Sequence, residues 1–502
     1  MSDALRAIDD AADVGGKLTS CRLTVRSNCG KVGGKYMIIG NEIHKYRDAI
    51  TAGISELVQI RSIMATPEPG KPFGAGVDRA LQYMLSLAES LGFEVTNVDG
   101  YAGHAEYGQG KEIAAVLVHL DTVEEGEGWT FPAFGGVIEN GKIIGRGASD
   151  NKGPAVVALY ALKTLMDLGI TGNRRLRLIF GTNEESGMKD LDYYFEREQL
   201  PAMAFAPDAG YPIFNVEMGS MNVVFSSEQE SSSTKTQLTI LSLKGGNMLT
   251  LIPETCTASL SLTQLTERQV ANFHAAINIQ ANMSAAYDED GGLVLTAGSE
   301  FLADSLTGSR NAIANMVAFL SGQGLTTNWD SLLHFLNSKI GAEKGGQSLG
   351  IACSDSFSGA LVVYLRTISC DLHRAEALCN IRYPVSHDGA GILSAVDALA
   401  GKDGIHIELT RHLLPVYVPE THPVIVRLSR AYKKITGDEA VLLRMGAGTY
   451  ARKMRNNGVA FGAGLAGGVD THVHQADEFV FIDDMMQHAE ICLQGMYELL
   501  ID

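Results

Sequence analysis

Histidines and carboxylates recur at one kind of place in this chain of 502 residues, just after a short strand-like run. His119-Leu120-Asp121 follows IAAVLV (113–118), Thr182-Asn183-Glu184-Glu185 follows RLRLIF (175–180), and Pro207-Asp208 follows MAFA (203–206). Asp150 lies in GRGASDNKGP (145–154), which runs into an apolar helical stretch, and VAFG (459–462) leads through a glycine-rich loop to His472, His474 and Glu478. Carboxylates that converge without a cation repel one another and shift their pKa values sharply. Divalent metals remove that repulsion, and imidazole with carboxylate suits zinc or manganese. One shared carboxylate can bridge two metals about 3.5 Å apart. Taken singly the segments are weak signals, since a lone HxD is ordinarily structural and an EE pair ordinarily a solvated turn. Their conjunction points to a metal site. His472 and His474 lie two apart, so in an extended segment only one reaches the site and the other belongs behind it or at the surface.

The elements that must position these groups alternate. The apolar run at 113–118 suits a buried strand, 175–180 and 203–206 read as two further strands, and 154–169 reads as a largely apolar helix with Pro154 in its first turn and Gly169 at its end. Strand–helix–strand order predicts a mainly parallel α/β sheet, whose carboxyl-end crevice is where ligands bind. Helices are expected at 42–63 and at 77–91, the second stopped by Gly92. From about Gly219 the character changes. Strand-like segments at 222–226, 237–243 and 257–262 are interrupted by helices at 267–283 and 311–320, a pattern that reads as an α+β unit inserted into the first domain. Helical periodicity returns at 423–435 and 482–500. The expected division is an extension of uncertain structure (1–40), a catalytic domain in two parts (41–218 and 419–502), and the insertion (219–418).

The composition is that of an ordinary globular protein, with 45% hydrophobic and 20% charged residues, so a disordered or collagen-like chain is excluded. The net charge of −18 argues against a nucleic-acid partner. No run of apolar residues is long enough to span a bilayer, and the start, MSDALRAIDDAADVGGK, lacks the basic and apolar regions of a signal peptide. The seven cysteines (Cys21, Cys29, Cys256, Cys353, Cys370, Cys379 and Cys492) are scattered and form no CxxC pair, which reads as reduced thiols of a cytoplasmic protein.

The segments HLDTVEEGEGW, GRGASDNKGP, GTNEESG, APDAG and VHQADEF resemble those of the dinuclear zinc metallopeptidases of aminoacylase and carboxypeptidase G type. PepV-type bacterial dipeptidases are the nearest in pattern. The resemblance runs from about residue 43 to the C-terminus and includes CNIRYP (379–384), LLPVYVP (413–419) and GAGTYARKMRNNGVAFG (446–462). It implies a phosphorylase/hydrolase-like catalytic domain with a mainly parallel central sheet and an inserted α+β lid domain. His119 and Asp208 would hold one zinc ion, Glu185 and His474 the other, and Asp150 would bridge them; Mn2+ or Co2+ would also fit. Asp121 would orient the His119 ring. Glu184 would act as general base on a metal-bridging water. The peptide bond between Asp150 and Asn151 would be cis. Arg382 would clamp the substrate carboxylate, with a surface ion pair as the plainer reading. Gly446, Gly448 and Thr449 would lie in a loop offering backbone N–H groups to the same carboxylate, with a tight turn as the alternative.

Two departures stand out. The family's lid histidine has no counterpart, since Phe301 or Leu302 occupies its place, and Thr250 stands where the family has asparagine. Loss of one oxyanion donor typically costs ~10²–10³ in rate. Either another residue substitutes, or the lid serves a different substrate, or the chain binds metal with little peptidase activity. The expected function is hydrolysis of small peptides with free termini by a dipeptidase, as a monomer or homodimer. The alternatives are an N-acyl amino acid hydrolase of the same fold and a catalytically impaired metal-binding paralogue.

Overall fold

Four parallel strands, in spatial order Arg174–Gly181, Glu112–His119, Met203–Ala206 and Gly458–Ala460, form the centre of a nine-stranded sheet. The computed structural model describes residues 37–228, 236–246, 253–289, 291–299, 311–341 and 343–501. The expectations for Thr250, Phe301, Leu302 and nearly all of the 1–40 extension therefore lie outside the described residues. Antiparallel strands widen the sheet on both sides, Ala102–Gly108 and Glu94–Val98 on one, Ile213–Glu217 and Val416–Tyr417 on the other. Leu442–Met445 pairs in parallel with Ile213–Glu217.

The central strand Glu112–His119 reads as an unbroken apolar run over 113–118 because helices cover it. Every residue from Ile113 to His119 is buried. The helix Lys152–Asp167 is itself buried nearly all round, and it ends as expected, with Gly169 at φ 63° just beyond its cap. The helix Ile482–Leu500 packs against it and adds Met485, Ile491, Leu493 and Leu499 to the same core. The helix expected over 42–63 is shorter. A 3₁₀ turn, Gly40–Tyr46, leads into an α-helix, Arg47–Val58. The chain then turns away so that the Ser62 hydroxyl donates to the Leu120 carbonyl at 2.6 Å and the Thr122 N–H donates to the Ser62 carbonyl at 3.1 Å. Those bonds anchor the loop that carries His119 and Asp121.

A second, eight-stranded sheet is antiparallel throughout, in the order Met283–Tyr287, Leu293–Gly298, Thr255–Ser261, Thr239–Gly245, Val362–Cys370, Arg374–Tyr383, Gly219–Glu228 and His406–Leu413. It has its own core, built on Met221, Val223, Phe225, Trp329 and Phe335. The helix expected at 267–283 stops at Asn278. Residues Met283–Tyr287 are instead an edge strand, because pairing with Leu293–Gly298 outweighs the helical preference of Ala285 and Ala286. Among the described residues no helix is long and apolar enough to cross a membrane. Cys256, Cys353, Cys370, Cys379 and Cys492 are free thiols.

Candidate active site

Parallel strands point their carboxyl ends the same way, so the residues following each strand emerge along one edge. His119 ends its strand opposite Gly181, and Ala206 stands opposite Ala460. From that edge the structure brings together His119, Asp150, Glu184, Glu185, Asp208 and His474. His119 Nε2 lies 2.9 Å from Asp150 Oδ1 and 3.4 Å from Asp208 Oδ1. The other Asp150 oxygen lies 3.1 Å from His474 Nε2, which is also 3.1 Å from Glu185 Oε1. Asp150 thus has one imidazole on each oxygen. Ligand atoms of His119, Asp150 and Glu185 all fall within 4.8 Å of one another, as do those of His119, Glu184 and Asp208.

Electrostatics follow from this crowding. Burial pushes the Asp208 carboxyl up to about 7, and the Asp150 charge adds to the rise against the pull of His119. Burial, reinforced by the charge of Asp208, raises Glu184 well above the carboxylate range. Burial acts on Asp150 too, but hydrogen bonds from His119 and His474 hold it well below its ordinary value. The imidazoles of His119 and His474 with the carboxylates of Asp150, Glu185 and Asp208 are a donor set that fits divalent cations.

Asp121 does more than face His119. The His119 Nδ1 lies 3.0 Å from the Asp121 backbone carbonyl and 3.5 Å from its carboxylate. The carboxylate oxygens accept the backbone N–H groups of Glu184 at 3.0 Å and Glu185 at 3.1 Å. Pinned in this way, the two glutamates send their side chains apart, Glu185 to His474 and Glu184 toward His119 and Asp208. The 472–474 segment is not extended. His472 and His474 have φ of 58° and 63°, in a turn closed by the Gln475 N–H on the His472 carbonyl. His472 is exposed and packs edge-on against Phe479, so only His474 reaches the cluster.

Several further residues support the cluster without offering it a ligand atom. Glu478, fully buried, accepts the N–H of Ser149 at 2.9 Å and of Asp150 at 3.1 Å on one oxygen, and pairs with the buried Arg146 at 2.7 Å on the other. Its place in the HQADEF segment was the only clue. Asn151 donates to the Pro207 carbonyl at 2.7 Å and to Asp208 at 3.1 Å, tying two strand ends together. The bond preceding it, from Asp150, is cis, as the resemblance implied. The Tyr450 hydroxyl donates to Asp190, which also accepts the Thr182 and Asn183 N–H groups at 2.6 and 3.1 Å.

Of the expected substrate-binding residues, Arg382 and Gly446 lie side by side. A Cβ on Gly446 would sit 2.6 Å from Arg382 Nη1, so the glycine lets that guanidinium lie against the backbone. Gly448 makes the same room for Arg452, where a Cβ would sit 2.1 Å from Nε. Thr449 is committed internally, its hydroxyl donating to Glu217 Oε1 at 2.8 Å and its N–H to Oε2 at 3.3 Å. Beside Asp150 and Asp208 opens a cavity of about 250 Å³ with Leu465, Val469, Val473 and Met485 among its walls.

The sequence profile of peptidase family M20/M25/M40 matches residues 115–497. "Putative dipeptidase YtjP" of Bacillus subtilis is 33% identical over 91% of this chain and 98% of its own length. A Staphylococcus saprophyticus protein of the same description is 28% identical over 92% of this chain and 99% of its own. Among solved structures, human carnosine dipeptidase 1 superposes with a TM-score of 0.56 at 15% identity, covering 92% of this chain and 99% of that one. An M20 family metallo-carboxypeptidase from Sulfolobus solfataricus gives 0.57 at 18% identity, over 90% and 99%. At such identities the structures speak for the fold.

Proposed function

The chain belongs to the M20/M25/M40 peptidase family, and from that premise we propose that it is a metal-dependent dipeptidase with a pair of zinc ions in the His119–His474 cluster. The observation that carries this reading is Asp150, whose two oxygens face two different imidazoles at 2.9 and 3.1 Å. His119, Asp208 and one Asp150 oxygen would hold one ion; Glu185, His474 and the other oxygen the second. Bound there, the ions would polarise the scissile carbonyl and make water a better nucleophile.

The remaining work falls to the chain. Glu184, buried and with a raised pKa, takes the proton of the attacking water and returns it to the leaving amine. Asp121 fixes the backbone from which Glu184 and Glu185 diverge. Arg382 and the N–H groups around Gly446 and Gly448 hold the substrate's C-terminal carboxylate, which limits length on that side. The N-terminal side chain enters the cavity by Val469 and Val473. Residues 219–418 act as the unit that covers the substrate. The free thiols are in keeping with a cytoplasmic location.

The test is a panel of dipeptides and N-acyl amino acids assayed with chelated, then zinc-reloaded, enzyme. Hydrolysis of dipeptides that vanishes on chelation and returns with zinc is the expected result. Turnover of N-acyl amino acids alone would move the assignment to a deacylase. Glu184→Ala should abolish turnover with metal content near wild type; if the metal is lost as well, the division of labour between Glu184 and Glu185 is wrong.

A further inference from the structure

The face of the second sheet that bears Arg382 carries more positive charge than one substrate carboxylate needs. Along Gly219–Glu228, Met221, Val223 and Phe225 enter the core, so Ser220 and Asn222 lie on the opposite face. Residues directly across an antiparallel ladder share a face. Ser220 stands opposite Arg382, and Asn222 stands between Asn380 and Arg411. Arg382 and Arg411 are thus on one face, two strands and two residues apart, on the order of 12 Å between Cα atoms by strand spacing. Two guanidiniums at that separation can close on one small ligand.

Their surroundings differ. Asn380 holds Arg382 in place, accepting its Nε at 3.1 Å while donating to Asn222 at 2.8 Å and Ser220 at 2.9 Å. Arg452 has a carboxylate of its own, Glu217 at 2.9 Å. Arg411 has none. Among the described residues its guanidinium makes no hydrogen bond or ion pair, and its Nε is buried without a partner. Burial and then the charges of Arg382 and Arg411 lower the neighbouring Arg366, which places all three guanidiniums in one electrostatic neighbourhood. A partly buried cation with no counter-charge among the described residues is one that a ligand's carboxylate would pair with.

This step rests on the dipeptidase reading. With Arg382 taking the C-terminal carboxylate, we infer that Arg411 is the specificity residue for a second carboxylate on the same substrate residue, so that the preferred substrates are dipeptides ending in aspartate or glutamate. The side-chain carboxylate of such a residue branches a few bonds from the terminal one, toward the strand that bears Arg411. Arg411 touches the substrate but not the reacting atoms.

The experiment compares kcat/KM for Ala-Asp and Ala-Glu with Ala-Asn and Ala-Gln, using metal-loaded full-length chain, wild type, Arg411→Gln and Arg411→Lys. In wild type the acid-to-amide ratio should exceed about tenfold, the value of a charge-assisted hydrogen bond. In Arg411→Gln it should fall to about one, through KM, and Arg411→Lys should recover part of it. A wild-type ratio near one, or a ratio unmoved in Arg411→Gln, overturns the inference. Calorimetric binding of the products, free aspartate against asparagine, gives the same comparison without turnover. If no dipeptide is cleaved the dipeptidase reading fails, while the binding preference and its loss in Arg411→Gln still decide the role of Arg411.

Discussion

Glu478 accepts the backbone N–H of Asp150 at 3.1 Å, so the carboxylate between the two imidazoles is held in place by a carboxylate that faces neither of them. Its second oxygen neutralises Arg146 at 2.7 Å and takes the Gly147 N–H at 3.1 Å. One side chain thereby fixes the whole approach to Asp150.

Replacing Glu478 by glutamine should therefore both destabilise the protein and loosen the site. Leaving Arg146 buried beside a neutral partner is expected to cost about 3–5 kcal/mol. Denaturant unfolding would measure that loss, and metal content after dialysis against a weak chelator should fall in parallel. Wild-type stability with wild-type metal retention would contradict the assignment.

Asp121→Asn tests the positioning of the two glutamates. The amide keeps one acceptor for the Glu184 and Glu185 N–H groups where the carboxylate offers two. A loss of about 10–100-fold in metal affinity or activity is expected, as for other groups that orient ligands. Titration of the apo-protein with zinc separates the two effects.

Gly181→Ala addresses the wall behind His119. A Cβ there would sit 2.1 Å from the Tyr450 hydroxyl, and Tyr450 cannot retreat without leaving Asp190. Overpacking of this kind costs about 1–3 kcal/mol. A thermal scan should register it, with lower kcat because residues 182–185 follow directly.

Stability should also fall in mild acid for a reason remote from the cluster. Burial lowers His104 and His488 to about 3, in His104 with help from the charges of Arg177 and Arg175. Both histidines are neutral in the folded protein and protonate near 6.5 once unfolded. Their contribution is complete above pH 6.5 and is lost as pH drops from there toward 3. His488→Gln should show a shallower decline than wild type across that window in chemical unfolding at fixed ionic strength.

Much of this arrangement was legible in the residues alone. Strands buried on both faces have largely apolar sequences, as at 113–118 and 203–206, and the acids after them and after 175–180 fall at one edge. The support beneath was not legible. Glu478 and Asp190 accept backbone amides and Asn151 donates to a backbone carbonyl, and a side chain satisfied by the backbone leaves no spacing to read. Positive φ at His472 and His474 was equally hidden, since neither residue is a glycine that would signal it. The strand Met283–Tyr287 was missed because its partner, not its composition, makes it one.

Asp150 and His474 lie over 300 positions apart, and the loop bearing His474 closes only when Phe479 reaches Thr471 and the Glu478 carbonyl accepts the Gly145 N–H at 2.8 Å. A ribosome making this chain thus delivers His474 and its brace only after the segments bearing His119, Asp150, Glu185 and Asp208. A nascent chain stalled before residue 474 would carry the acids of the pocket without the imidazole that lies between Asp150 and Glu185.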